Sequence, residues 1–233
     1  MALYYRKNIN VENDNNNVFW TTMSDLMLGL SIIFITLFVL AMTGFTQESL
    51  QKQKLKMEIA KEIGQELKKN NIDVNIDKMT GDLKIPSTAL FEVNSFILTP
   101  KGKRLLDKLA PIYINTIFSK EKLSNEIESI YIEGHTDSQS FAGLSTRDQQ
   151  FIRNMDLSLK RANAVAEYIL QTDYNKKNSE AFRKMMVVEG RSFNQPILTS
   201  DGKEDFEKSR RVEVKLKVKD FGIANIFGIG HKK

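Results

Sequence analysis

Asp25 is the residue whose setting most invites chemistry. It heads Leu26 to Phe45, a run of 20 residues without a charge. A carboxylate at the edge of such a run can take up and release a proton or a small cation, and its cost in an apolar medium means that it is usually functional. His135 invites a catalytic reading, but no nucleophile pattern accompanies it. The chain has no cysteine, and its second histidine, His231, lies far from the first. Thiol catalysis, a Cys-ligated zinc site and a disulfide framework are therefore excluded, and no histidine-rich metal cluster or cofactor site is expected.

The elements that must position Asp25 follow from the apolar run. At about 1.5 Å per residue, 20 helical residues cover the roughly 30 Å core of a bilayer. The run is longer than the apolar part of a signal peptide, and no small-x-small cleavage site follows it. A transmembrane helix over residues 18–45 is expected, after an N-terminal tail of residues 1–17. Two placements of Asp25 stay open. Ser24 could cap the helix, with Asp25 in its first turn. Alternatively the helix starts near Val18, with Trp20 at the interface and Asp25 more than one turn inside. Arg6 and Lys7 precede the run, while Lys52, Lys54, Lys56 and Lys61 follow it. That balance does not fix orientation, because charge rules weaken for large translocated domains.

After the run, residues 46–70 are rich in Lys, Glu and Gln. Leu55, Ile59, Ile63 and Leu67 recur at i+4, the spacing of one helix face. A helical connector is expected, its stripe facing a partner copy or the next domain. It lacks a sustained heptad.

From residue 71 to 220, strand-like and helix-like pieces alternate. Ile72, Val74 and Ile76 alternate with polar residues before the turn Thr80-Gly81-Asp82, which reads as a hairpin. Thr99 and Pro100 open a helix to Phe118 as N-cap and first residue. Ile127 to Ile132 is a strand interrupted at Gly134. Leu157 to Leu170 is a helix, and Met185 to Val188 and Val212 to Val218 are strands. Strands interleaved with helices indicate an α+β sandwich, a mixed sheet with helices on one face. Residues 221–233 form a C-terminal tail.

Five motifs in this region carry a resemblance: Phe91 to Pro100 (FEVNSFILTP), Glu133 to Asp137 (EGHTD), Asn154 to Ala162 (NMDLSLKRA), Gly190 to Pro196 (GRSFNQP) and Ser209 to Val214 (SRRVEV). Together they resemble the OmpA-like peptidoglycan-binding domain. The stretch between Asp137 and Asn154 is longer than that family usually has, so Ser138 to Arg153 is expected to form an enlarged loop. Phe19-Trp20, Ser24-Asp25 and the following apolar helix resemble the start of MotB-type stator subunits. The whole chain is similar to the ZorB-type, MotB-like components of Zorya anti-phage systems, with flagellar MotB-type subunits as the near alternative.

The resemblance implies roles. Asp25 would be the ion-carrying residue, for H+ or Na+. Asp137 would accept from an ammonium and Arg161 would grip a carboxylate, together holding the zwitterionic end of a diaminopimelate residue. Asn94 and Asn154 would fix orientation, and Arg210 would be a further contact. Arg161 is expected early in its helix and on the surface, so that Arg161→Ala leaves the fold intact. The partners implied are a polytopic MotA- or ZorA-like membrane protein, peptidoglycan and a second copy of the chain within a hetero-oligomeric ring. The outer domain would lie in the periplasm, with the N-terminus in the cytoplasm. The competing class is a passive membrane-tethered wall anchor. A wall hydrolase lacks a catalytic pair or metal set. Beyond the membrane run stand 32 basic and 26 acidic residues, once Arg6, Lys7, Glu12, Asp14 and Asp25 are set aside. This excess is spread out without an aromatic-basic stripe, so no nucleic-acid partner is expected.

Overall fold

The computed structural model describes residues 11–72, 74–119, 121–172 and 178–219. Both expected tails lie wholly or largely outside these residues, as does His231. The described residues divide into two compact units, with the boundary between residues 49 and 50.

Helix α1 is Val11–Lys69. It contains a stretch long and apolar enough to cross a membrane, and the apolar side chains between Leu26 and Phe45 are exposed. The hydroxyls of Ser31, Thr36 and Thr43 donate to the carbonyls of Met27, Ile33 and Leu40. Polar groups in this stretch are thus satisfied within the helix, as a hydrocarbon environment requires. Because α1 begins at Val11, Asp25 lies about four turns inside it. Ser24 is therefore not the N-cap, and the first-turn placement of Asp25 is set aside. Phe19 and Trp20 meet edge to face, with ring centroids 6.0 Å apart.

The second unit is built on a five-stranded sheet of order β1-β2-β5-β3-β4. The strands are β1 (Asn75–Ile76), β2 (Leu83–Pro86), β3 (Ile127–His135), β4 (Met186–Gly190) and β5 (Arg211–Val218). All pairs are antiparallel except β3 with β4, which is parallel. The helices are α2 (Ser87–Leu90), α3 (Pro100–Phe118), α4 (Glu121–Glu126), α5 (Arg147–Gln171), α6 (Ser179–Met185) and α7 (Phe206–Ser209). One core joins the inner strand residues Ile85, Ile130, Ile132, Val212 and Val214 to Leu106, Ile114, Val165 and Phe182 of the helices.

Ile59, Ile63 and Leu67 of α1 are buried in that same core. Part of the expected connector thus belongs to the second unit, its stripe facing the domain. The helix stops in a Schellman motif. Asn71 takes φ 53, Ile72 N–H donates to the Leu67 carbonyl at 2.9 Å, and Asn71 N–H to that of Lys68 at 3.1 Å. Buried Leu67 and Ile72 supply the hydrophobic contact that accompanies this motif. At the start of α3, Thr99 Oγ1 accepts from Gly102 N–H at 3.0 Å, with Pro100 at the first helical position.

Two expectations are corrected. The strand does not break at Gly134, since β3 runs to His135. Gly134 is there for α5 instead. A Cβ on it would stand 1.9 Å from the Ser158 carbonyl oxygen, and one on its register partner Gly190 would stand 2.8 Å from Leu159 N. The two glycines let the α5 backbone lie directly on β3 and β4. Nor is Ser138 to Arg153 a loop throughout. Its second half is the first two turns of α5, started by a capping box in which Thr146 and Gln149 each bond the other's backbone.

Candidate functional site

Asn94, Asp137, Asn154, Arg161 and Arg210 line one cavity of about 370 Å³. The topology explains why. Ser87 follows β2, Arg210 precedes β5, and Thr136 and Asp137 follow β3, so three adjacent strand ends form one wall. Asn154 and Arg161 are seven residues apart on α5 and therefore share a face. The close seat of α5 on Gly134 brings that face beside the strand ends. Asn94 sits in the turn closed by the Phe91–Leu98 bridge, at φ 56, a conformation that asparagine tolerates better than most residues.

The charged groups are arranged unequally. Asp137, 7 % exposed, accepts from Arg210 Nη1 through Oδ2 and from Gln139 N–H through Oδ1 at 3.3 Å. Arg210 also donates to Gln139 Oε1 at 3.3 Å. Arg161 lies mid-helix in α5 and is only 3 % exposed, which corrects the surface placement. The cause is the turn from Phe91 to Leu98, which packs over it. Arg161 Nε donates to the Ser95 carbonyl at 2.9 Å, and its guanidinium lies 5.4 Å from the centre of the Phe91 ring. Burial and the neighbouring positive charge of Arg210 lower its pKa to about 10, with Asp137 opposing them. It stays charged at neutral pH.

Asp137 therefore pairs with Arg210, not Arg161. Among the described residues no carboxylate lies within ion-pair distance of Arg161. A buried cation without a contacting counter-ion is costly, and a ligand carboxylate would supply one. With Asp137 offering acceptor oxygens nearby, the cavity suits a ligand end that carries a carboxylate beside an ammonium. Asn154 is buried, and its Nδ2 donates to the Gln150 carbonyl at 3.0 Å. Its Oδ1 remains an acceptor for such a ligand.

A second charged group, on the opposite face of the sheet from the core, was not legible as a unit in the sequence. Glu133 and Glu213 stand directly opposite in the β3–β5 register. Lys215 Nζ bridges them, 2.7 Å from Glu133 Oε2 and 2.9 Å from Glu213 Oε2. Arg191 bonds Glu133 at 2.9 Å, and Arg211 bonds Glu213. His135 is fully buried beside them, its Nε2 3.3 Å from Glu133 and 3.9 Å from Glu213. Glu133, His135 and Glu213 have the residue types of a metal-ligand set. The oxygens that would face a metal already hold the Lys215 ammonium, so the cluster reads as a structural ion network with its own cation.

This network sets a pH dependence. Burial would raise Glu133, but the close His135, Arg191 and Lys215 outweigh it and hold it far below the usual carboxylate range. Burial is likewise overcome for Glu213, which is lowered by Lys215 and Arg211. Burial lowers His135, against the pull of Glu133. All three bind protons more readily when unfolded, so acidification favours unfolding. Thermal stability of the full chain in detergent should fall in two steps. The first begins below about pH 6.5 from His135, the second below about pH 4.3 from the glutamates. His135→Gln should remove the first step. Melting curves followed by circular dichroism from pH 7.5 to 3.5 check this, and equal stability at pH 7.5 and 5.5 in the unmodified chain would refute it.

The comparisons with known proteins agree with this architecture. The OmpA family profile matches residues 90–210, which contain Asn94, Asp137, Asn154, Arg161 and Arg210. The chain is 31% identical over 219 residues to the Zorya protein ZorB of Escherichia coli (strain Crooks), covering 87% of this chain and 89% of that relative. It is 25% identical over 211 residues to a Zorya protein ZorB from a second Escherichia coli strain, covering 85% and 79%. Among solved structures, a MotB-like protein from Desulfovibrio vulgaris superposes with a TM-score of 0.52 at 21% identity, covering 72% of this chain and 94% of that one. That likeness concerns the fold. With its matched segment holding the parallel pair β3–β4, helix α5 and the buried Arg161, the chain belongs to the OmpA family.

Proposed function

We propose that this chain is a membrane-anchored stator-type subunit of an anti-phage complex of the Zorya kind. Its OmpA-family domain grips peptidoglycan, and its membrane helix carries H+ or Na+ on Asp25. The observation that carries the wall-binding part is Arg161, buried in the strand-end cavity with no contacting carboxylate among the described residues, and with Asp137 nearby. That pair of opposite charges matches the ammonium and carboxylate at the free end of diaminopimelate in wall stem peptides. Asn94, Asn154 and Arg210 orient that end. The motor part rests on Asp25, four turns inside α1 at the head of the apolar stretch. The Zorya relatives, each covered over most of its length, support the defence setting.

In this reading two copies of the chain sit within a ring of a polytopic MotA- or ZorA-like protein that supplies the other side of the ion path. Residues before the apolar stretch lie in the cytoplasm, and the OmpA-family domain lies in the periplasm, where the wall is. A reporter that is active only outside the cytoplasm, fused after Lys233, should be active in cells. Activity only from a reporter that works inside the cytoplasm would refute the orientation and, with it, wall binding.

A further inference from the structure

The segment between β3 and α5 is tied down at many points. Ser138 N–H and Oγ both donate to the Glu204 carboxylate, and Gln139 is held by Arg210. Gln150, on the first turn of α5, clamps the rest. Its Oε1 accepts from Phe141 N–H at 2.7 Å, and its Nε2 donates to the Phe141 and Leu144 carbonyls at 3.0 and 2.9 Å. The Arg153 guanidinium lies 5.6 Å from the centre of the Phe141 ring. Gly143 takes φ 83, letting the chain turn between the clamped carbonyls. A side-chain amide that satisfies three backbone groups of one short segment fixes its path.

This fixed segment lines the cavity through Gln139, Ser140, Phe141 and Ala142. Phe141 is half-buried there, and Phe91 and Leu157 add apolar lining. The cavity is thus more than a pair of charges: apolar surface stands beside them, held by a residue that does not line the cavity itself. Small-molecule sites combine a few placed polar groups with an apolar lining of this kind.

We propose that Phe141 and Ala142 form a second subsite, for the aliphatic stem on which the zwitterionic ligand end is carried, and that Gln150 is the positioning residue that holds it. The site would then recognise a diamino dicarboxylic residue by its hydrocarbon chain as well as its charged end. This rests on the wall-binding reading above.

The test is calorimetric titration of the full chain in detergent micelles with a soluble wall tripeptide ending in meso-diaminopimelate. Three single variants are compared: Asp137→Asn, Phe141→Ala and Gln150→Leu. Asp137→Asn should lose binding about 30-fold or more. Phe141→Ala should weaken it about tenfold, the scale of losing a partly buried aromatic contact. Gln150→Leu should weaken it to a similar extent, and the double variant should lose no more than either single, because Gln150 acts through Phe141. Mere destabilisation would instead add up in the double variant and show in melting curves. If Asp137→Asn loses binding while Phe141→Ala and Gln150→Leu bind as the unmodified chain does, the subsite is overturned and the charged grip stands. If the unmodified chain does not bind, or Asp137→Asn binds normally, the wall-binding reading fails and the subsite falls with it.

Discussion

Asp25→Asn should abolish protection against phage while leaving the amount of chain in the membrane unchanged or higher. Asparagine keeps the size and much of the hydrogen bonding of aspartate but cannot titrate or hold a cation. If Asp25 carries the ion, turnover stops with the charge. Insertion should not suffer, since an amide at the head of the apolar stretch is less costly to desolvate than an ionised carboxylate. The start of α1 at Val11 makes this sharper than the sequence could. A carboxylate in the first turn would favour the helix dipole, and its loss would weaken the helix instead. The measurement is plating efficiency of phage on cells carrying the variant, with membrane abundance followed by immunoblot. Full protection with Asp25→Asn would reduce the chain to a passive anchor.

The second large effect concerns the strand-end cavity. Asp137→Asn and Arg161→Lys should each release the chain from the wall. Removing one member of a buried charged contact typically costs about 2–5 kcal/mol, or about 30-fold or more in affinity. Lysine keeps the charge of Arg161 but not the planar fork that grips a carboxylate. It is the better substitution because Arg161→Ala would also strip the Ser95 carbonyl of its donor and leave a void beside Phe91. Either change should leave the melting temperature within a few degrees of the unmodified value. The two losses should not add, since both residues hold one ligand end. Additive losses would mean that the two residues do not hold one ligand end, and unfolding of both variants would mean that they serve the fold.

Much of this architecture could be read from residue spacing. The alternation of Val212, Val214, Leu216 and Val218 gave β5 with its inner face, and Thr99-Pro100 gave the start of α3. What the sequence hid were long-range pairings. Nothing local told Arg210 from Arg161 as the partner of Asp137, because that choice depends on which strand ends are neighbours. The burial of Arg161 was missed because the Ser95 carbonyl that covers it is 66 residues away in sequence, and α5 was separately started ten residues late, at Leu157. The signal was present, since Thr146 and Gln149 have capping-box spacing. Gly134 looked like a strand breaker because a missing Cβ has no local signature of the helix that fills its place. The Glu133–Lys215–Glu213 network was invisible for the same reason: it joins strands 82 residues apart in sequence.

The most direct measurement of the central claim is co-sedimentation of the full chain, in detergent micelles, with purified sacculi, challenged by free meso-diaminopimelate. The unmodified chain should pellet with sacculi and return to the supernatant as the free diamino acid is added, while Asp137→Asn should stay in the supernatant throughout. Pelleting that neither the free diamino acid nor Asp137→Asn diminishes would place the wall contact elsewhere on the chain and contradict the role of this cavity.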